Sequence, residues 1–172
     1  MLRSLPQDKI EIAMAHLSYE VSMCAVSAAR MLSAEDGYEH NAYLECMLLH
    51  ARALDEFLVM TRDKPYKDNM LRTDFGDEWE PHPIEAVQRL KERRSLINKH
   101  LAHLTWARVD SAEAPQWSFI EIANDIVSVA GAWVQHVTAL DDQDDDDPDI
   151  KALALWNAVK DAKQVLAGVA GP

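Results

Sequence analysis

A chain of 172 residues, 48% hydrophobic and 27% charged, is long enough to bury one sizeable core and too apolar to be disordered. Its formal net charge of −12 argues against general nucleic-acid binding, which takes its affinity from neutralised phosphates. Glycine is scarce, at five, and long stretches lack proline, so long helices are expected rather than many short strands.

Two cysteines, Cys24 and Cys46, do not make a disulfide framework. Both fall in apolar helical patterns and read as buried free thiols of a reducing compartment. The opening MLRSLPQDKI has no apolar signal core, and no uninterrupted apolar run approaches the roughly 18 residues of a membrane span. The expectation is a cytoplasmic protein with no membrane segment and no cofactor.

Apolar residues recurring at three and four predict a first helix over 7–32, on Ile10, Ile12, Met14, Leu17, Val21, Cys24, Ala28, Met31 and Leu32. Its small residues (Ala13, Ala15, Ser18, Ser22, Ala25, Ser27, Ala28, Ala29) allow close approach of a neighbouring helix. A second helix is expected over 38–60, with Tyr43, Leu44, Met47, Leu48, Ala51, Leu54 and Leu58 in one stripe. The period is lost over 61–83, yet Tyr66, Phe75 and Trp79 lie there. Aromatics in an irregular segment predict a loop that packs over the bundle, and loops of this length are often functional.

The third helix is expected over 83–106, with Pro83 in its first turn. A fourth follows over 118–140 on Ile122, Ile126, Val129, Trp133 and Val137. The acidic run 141–149, DDQDDDDPD, reads as a solvated linker, because it lacks the glycine and closing glutamate of a calcium loop. Asp147 would cap a last helix over 148–167, carrying Ile150, Leu153, Leu155, Trp156, Val159 and Leu166. Residues 1–172 therefore read as one all-α domain, a bundle of about five helices.

One stretch departs from the acidic background. Between Arg89 and Arg108 stand six cations (Arg89, Lys91, Arg93, Arg94, Lys99, Arg108) and one acid, Glu92. That is +5 locally against −17 elsewhere. Such a concentrated field can steer an anionic partner, and Arg89, Arg93 and Arg108 are candidate contacts for RNA or an acidic protein.

On an ideal helical wheel Leu90, Ile97 and Leu101 form the core stripe of the third helix, with Arg94 inside it and Asn98 at its edge. A charge on an apolar stripe needs a partner, and Asp55 on the second helix is the candidate. His100 and His103 fall off the stripe. Cys46 and His50, four apart, could join His100 and His103 as a zinc set presented by two helices. Trp106, Trp117 and Trp133 on or beside helices three and four suggest a homodimer through that pair, since aromatics are enriched in interface cores.

Leu101-Ala102-His103 after a basic helix, in an all-α bundle of this size, resembles the HEPN superfamily of prokaryotic toxin and defence proteins. The family's motif is Arg, four to six residues, then His, and active members pair it across a homodimer to cleave RNA without metal. The resemblance covers helices two and three. It implies a site of His103, Asn98, Arg94, Lys99 and His100, with His103 as general acid/base. Counting back from His103 places Asn98 where the family has Arg, while Arg94 and His100 form an alternative frame of legal spacing. A neutral amide cannot grip a phosphate as a charged fork does. The expectation is a HEPN-like binding or interaction module with impaired or absent nuclease activity. A metal-independent endoribonuclease centred on His103 and a zinc-binding bundle are the alternatives.

Overall fold

Long runs without proline wind into five α-helices among the described residues, α1 (Gln7–Met31), α2 (Gly37–Val59), α3 (Ile84–Ile97), α4 (Phe119–Asp141) and α5 (Ile150–Val169). The computed structural model describes residues 6–60, 69–75, 79–102, 116–141 and 150–169, and no strand occurs among them. The protein is an all-α helical bundle. Tyr66 and the linker 142–149 lie outside the described residues, as does Asp147.

Helix α1 packs along both α2 and α5, α4 closes the bundle from the far side, and α3 lies against α4 and α2. The interior is filled by Val21, Met47, Leu54, Ile122, Ile126 and Leu155, each essentially inaccessible to solvent. Gly131 lets α4 and α5 approach closely, since a Cβ there would stand 3.2 Å from Val159 Cγ1. Asp36 starts α2 by accepting a hydrogen bond from the Glu39 backbone N–H at 2.8 Å, while the Glu39 carboxylate accepts from the Glu35 N–H.

Part of the irregular segment belongs to the core, as its aromatics predict. A short 3-10 turn, Arg72–Asp74, brings Phe75 onto Phe57 and Trp133, the three rings meeting edge to face with centroids 4.9–5.8 Å apart. Arg72 is buried and donates from Nη1 to the Met60 carbonyl at 2.8 Å, satisfying a group at the end of α2. Its guanidinium also lies over the Trp79 ring.

Three expectations need correction. Ile12 and Leu32 are 58% and 55% exposed rather than in the core, because α1 is apolar on more than one face. Helix α1 is in fact long and apolar enough to cross a membrane by composition, although no uninterrupted apolar run marks it. Trp133 is 2% exposed and fixed between Phe57 and Phe75, so it is a core residue and cannot serve as an interface aromatic.

If the 72–75 turn is part of the core, Phe75→Ala should cost about 3–5 kcal/mol in urea denaturation, the usual loss for a buried aromatic. A change below about 0.5 kcal/mol, typical of surface positions, would contradict this packing.

Candidate functional site

The basic helix is built around three arginines, and each of them is held by a carboxylate from another helix. Arg94 leaves the apolar stripe of α3 toward α2. There its Nε donates to Asp55 Oδ2 at 2.5 Å and its Nη2 to Oδ1 at 2.9 Å. This is the two-pronged pairing that a guanidinium makes best. The Asp55 side chain is 6% exposed and that of Arg94 25%. Burial raises the Asp55 pKa above the ordinary carboxylate range and outweighs the hydrogen bond and charge of Arg94, which pull it down. The same hydrogen bond raises Arg94, against the opposing effect of its own burial.

Arg89 and Arg93 turn the other way, onto α4. Asp125, buried there, accepts from Arg89 Nε at 2.9 Å, Arg89 Nη2 at 2.5 Å and Arg93 Nη1 at 3.1 Å. Arg93 Nη2 also pairs with Glu121, one turn away on the same face of α4. The hydrogen bond to Asp125 raises the Arg89 pKa. Arg89 and Arg93, candidates for an external anion, thus already hold internal ones. Nothing in the third helix pointed to Asp125 or Glu121. The signal lay in an acid pair, four apart, near the start of the fourth helix.

At Ile97 the α-helical winding ends, and Asn98–Ala102 continue as a π-helical turn with i→i+5 geometry. An ideal wheel assigns Leu101 to the core and His100 to the surface. The wider turn leaves both partly buried, side by side, on a half-open cleft of about 200 Å³. Asn41, Leu44, Glu45 and Leu48 of α2 form the opposite wall, with Trp117 at the end. The His100 ring meets Trp117 edge to face, centroids 6.4 Å apart. Trp117 is therefore the one of the three tryptophans seen beside the basic helix, and Trp106 lies outside the described residues. The buried Oδ1 of Asn98 finds no hydrogen-bond partner among the described residues. Lys99 stands at the surface. His103 and Arg108 lie outside the described residues, and of the other candidates Arg94 turns to Asp55 while His100 turns to Trp117.

Helix α2 does not present Cys46 and His50 to α3. His50 Nδ1 lies 2.6 Å from Glu20 Oε2, with the Tyr19 ring edge-on at 5.5 Å, and both partners belong to α1. Cys46 Sγ accepts from Ser27 Oγ at 3.2 Å, again on α1. His100 faces a different side of α2, so Cys46, His50 and His100 of the expected four-residue set do not converge, and His103 lies outside the described residues. Among the described residues no group of three or more His, Cys, Asp or Glu side chains is placed to hold a metal ion. Burial, with Cys46 and Glu20 nearby, pushes the Cys24 thiol up to about 12, which leaves it protonated and unreactive at neutral pH.

Set against family models, curated protein sequences and solved structures, the chain matches none of them.

The Arg94–Asp55 pair predicts a specific stability pattern. Arg94→Ala strands a buried carboxylate and should cost about 3 kcal/mol at pH 7. Pairing Arg94→Met with Asp55→Leu should cost markedly less, because no charge is left uncompensated. A carboxyl whose folded pKa lies above its unfolded one favours the folded state as pH falls. The deficit of Arg94→Ala should therefore shrink between pH 7 and pH 5. Equal losses in the single and double variants, independent of pH, would contradict a coupled pair.

Proposed function

We propose that this chain is a HEPN-like helical interaction module, of the kind found in bacterial defence or toxin–antitoxin systems, that binds a partner without cleaving RNA. The observation that supports this reading is the commitment of Arg89, Arg93 and Arg94 to Asp125, Glu121 and Asp55. Metal-independent RNA cleavage needs a group to take the 2′-OH proton and a cation for the charge that builds on the phosphate. His103 offers the first. In the motif's register the cation's place falls to Asn98, Ile97 or Leu96, none of them basic, and Ile97 is buried in the core. Arg94 lies beyond that register and would have to abandon Asp55 to reach a phosphate.

The second reading, an endoribonuclease centred on His103 with Arg94, Asn98, Lys99 and His100, draws on one observation. The residues that precede His103, Asn98–Ala102, form a π turn, and such turns are frequent at functional sites. Its cost in local helix geometry is what a site would justify.

Incubation of the full chain with single-stranded and structured RNA, with and without EDTA, separates the two. The interaction-module reading predicts no cleavage above background, the same for His103→Ala, and a gain only on Asn98→Arg, which restores the family's spacing. EDTA-resistant cleavage by the natural sequence, reduced about a hundredfold or more by His103→Ala, would establish the nuclease instead.

A further inference from the structure

Helix α1 carries more apolar surface than the bundle uses. A helix that is hydrophobic all round is normally buried all round. Yet in α1 only 44% of the most apolar 18-residue window is buried. From Ile12 to Ala29 the sequence holds a single charged residue, Glu20, and its carboxylate is taken up by His50 on the α2 side. The face of α1 turned away from α2, α5 and the core therefore presents no free carboxylate, ammonium or guanidinium along this stretch, in a protein whose net charge is −12, although the exposed His16 imidazole also lies there.

What that face does present is ordered. Ile12, Tyr19 and Val26 recur every seven residues and are 58%, 54% and 41% exposed. Ala15, Ser22 and Ala29 recur at the same interval, three positions behind. Of the other small residues of α1, Ala13, Ala25, Ser27 and Ala28 are buried inside the bundle and Ser18 is half-buried, while Ala15 is exposed and Ser22 and Ala29 are half-buried. The outer face is thus a heptad seam with large residues in one row and small residues in the other.

We propose that this seam is where two copies of the chain pair, α1 against α1 in antiparallel orientation. A two-fold axis beside Glu20 and Val21 sets Ile12 opposite Ala29, Ala15 opposite Val26, and Tyr19 opposite Ser22 of the second copy. Every large side chain then meets a small one, the alternation that lets helices interlock closely. A parallel pairing would instead stack large on large and leave small opposite small. The net charge opposes self-association, and the seam adds nothing to that cost. Two bodies of charge −12 repel, and an uncharged strip lets them touch without burying a charge.

The size of the seam sets the strength. Eighteen helical residues span about 27 Å, and a helix is about 10–12 Å across, so the face offers on the order of 300 Å² per copy. That remains below the roughly 800 Å² per partner of a standard stable interface. The dimer is accordingly weak and concentration-dependent. The inference is independent of the family reading above, and α1 makes no substantial contact with the basic helix α3.

Sedimentation equilibrium from about 5 µM to about 1 mM tests it, a range that covers weak association. The natural chain should pass from monomer to dimer, and added salt should strengthen the dimer by screening the net repulsion. Ala15→Glu and Val26→Lys should each be monomeric, with an unchanged helical circular dichroism spectrum and thermal midpoint, since both side chains reach solvent. Mixed one to one, the two variants should recover a heterodimer, because the proposed register sets Glu at 15 against Lys at 26. A natural chain that stays monomeric to about 1 mM would overturn the proposal. So would a dimer that survives both substitutions, one that weakens with salt, or a mixture that fails to associate. Monomers that instead bind phosphatidylcholine vesicles would assign the face to lipid.

Discussion

The guanidinium of Arg94 and the buried carboxylate of Asp55 fix where the third helix sits. Helix α3 is short and rich in charge, with too few apolar side chains to hold it by burial alone. Arg94 ties it to α2, and Arg89 and Arg93 tie it to α4 through Asp125 and Glu121. The helix is held on two sides by directional, charged contacts where its apolar contribution is Ala86, Val87, Leu90 and Ile97. Buried pairs of this kind add little net stability over apolar packing, but removing one partner is costly, so they specify position more than they strengthen the fold.

That arrangement changes the meaning of the basic segment. In the sequence it is a field of +5 on an acidic protein; in the fold Arg89, Arg93 and Arg94 are paired with acids that belong to other helices. A phosphate would have to compete with carboxylates already held at hydrogen-bonding distance. The end of α3, where the winding widens and His100 turns onto Trp117 beside α2, is the part of the helix whose geometry its packing does not explain. It is also the part from which the family resemblance is read.

Much of the fold was legible in the sequence because it depends on period. Helix limits fell within a few residues of those observed, except where α3 gave way to the π turn, which an ideal wheel cannot represent. Asp55 was legible because a charge on an apolar stripe demands a partner on the neighbouring stripe. Asp125 and Glu121 were not, since only the docking of α3 onto α4 decides which acids the remaining arginines meet. Cys46 and His50 illustrate the same limit: their spacing shows that they share a face, and the identity of the helix they face comes from the packing. Trp133 went to the core because Phe75 arrives from an irregular segment whose path no period describes. The exposed apolar seam of α1 was hidden for the opposite reason, because a helix apolar on several sides has a period that fits more than one face.

The central claim is that the cations of the basic helix serve the fold rather than an external polyanion. The salt dependence of RNA binding measures this most directly, because each phosphate neutralised on a single strand contributes about −0.7 to the slope of log K against log salt. Titration of a fluorescein-labelled single-stranded RNA with the full chain, read by anisotropy across a salt series, should show weak association with a slope shallower than about −1. Tight binding with a slope of about −2 or steeper, the signature of three or more phosphate contacts, would contradict the account.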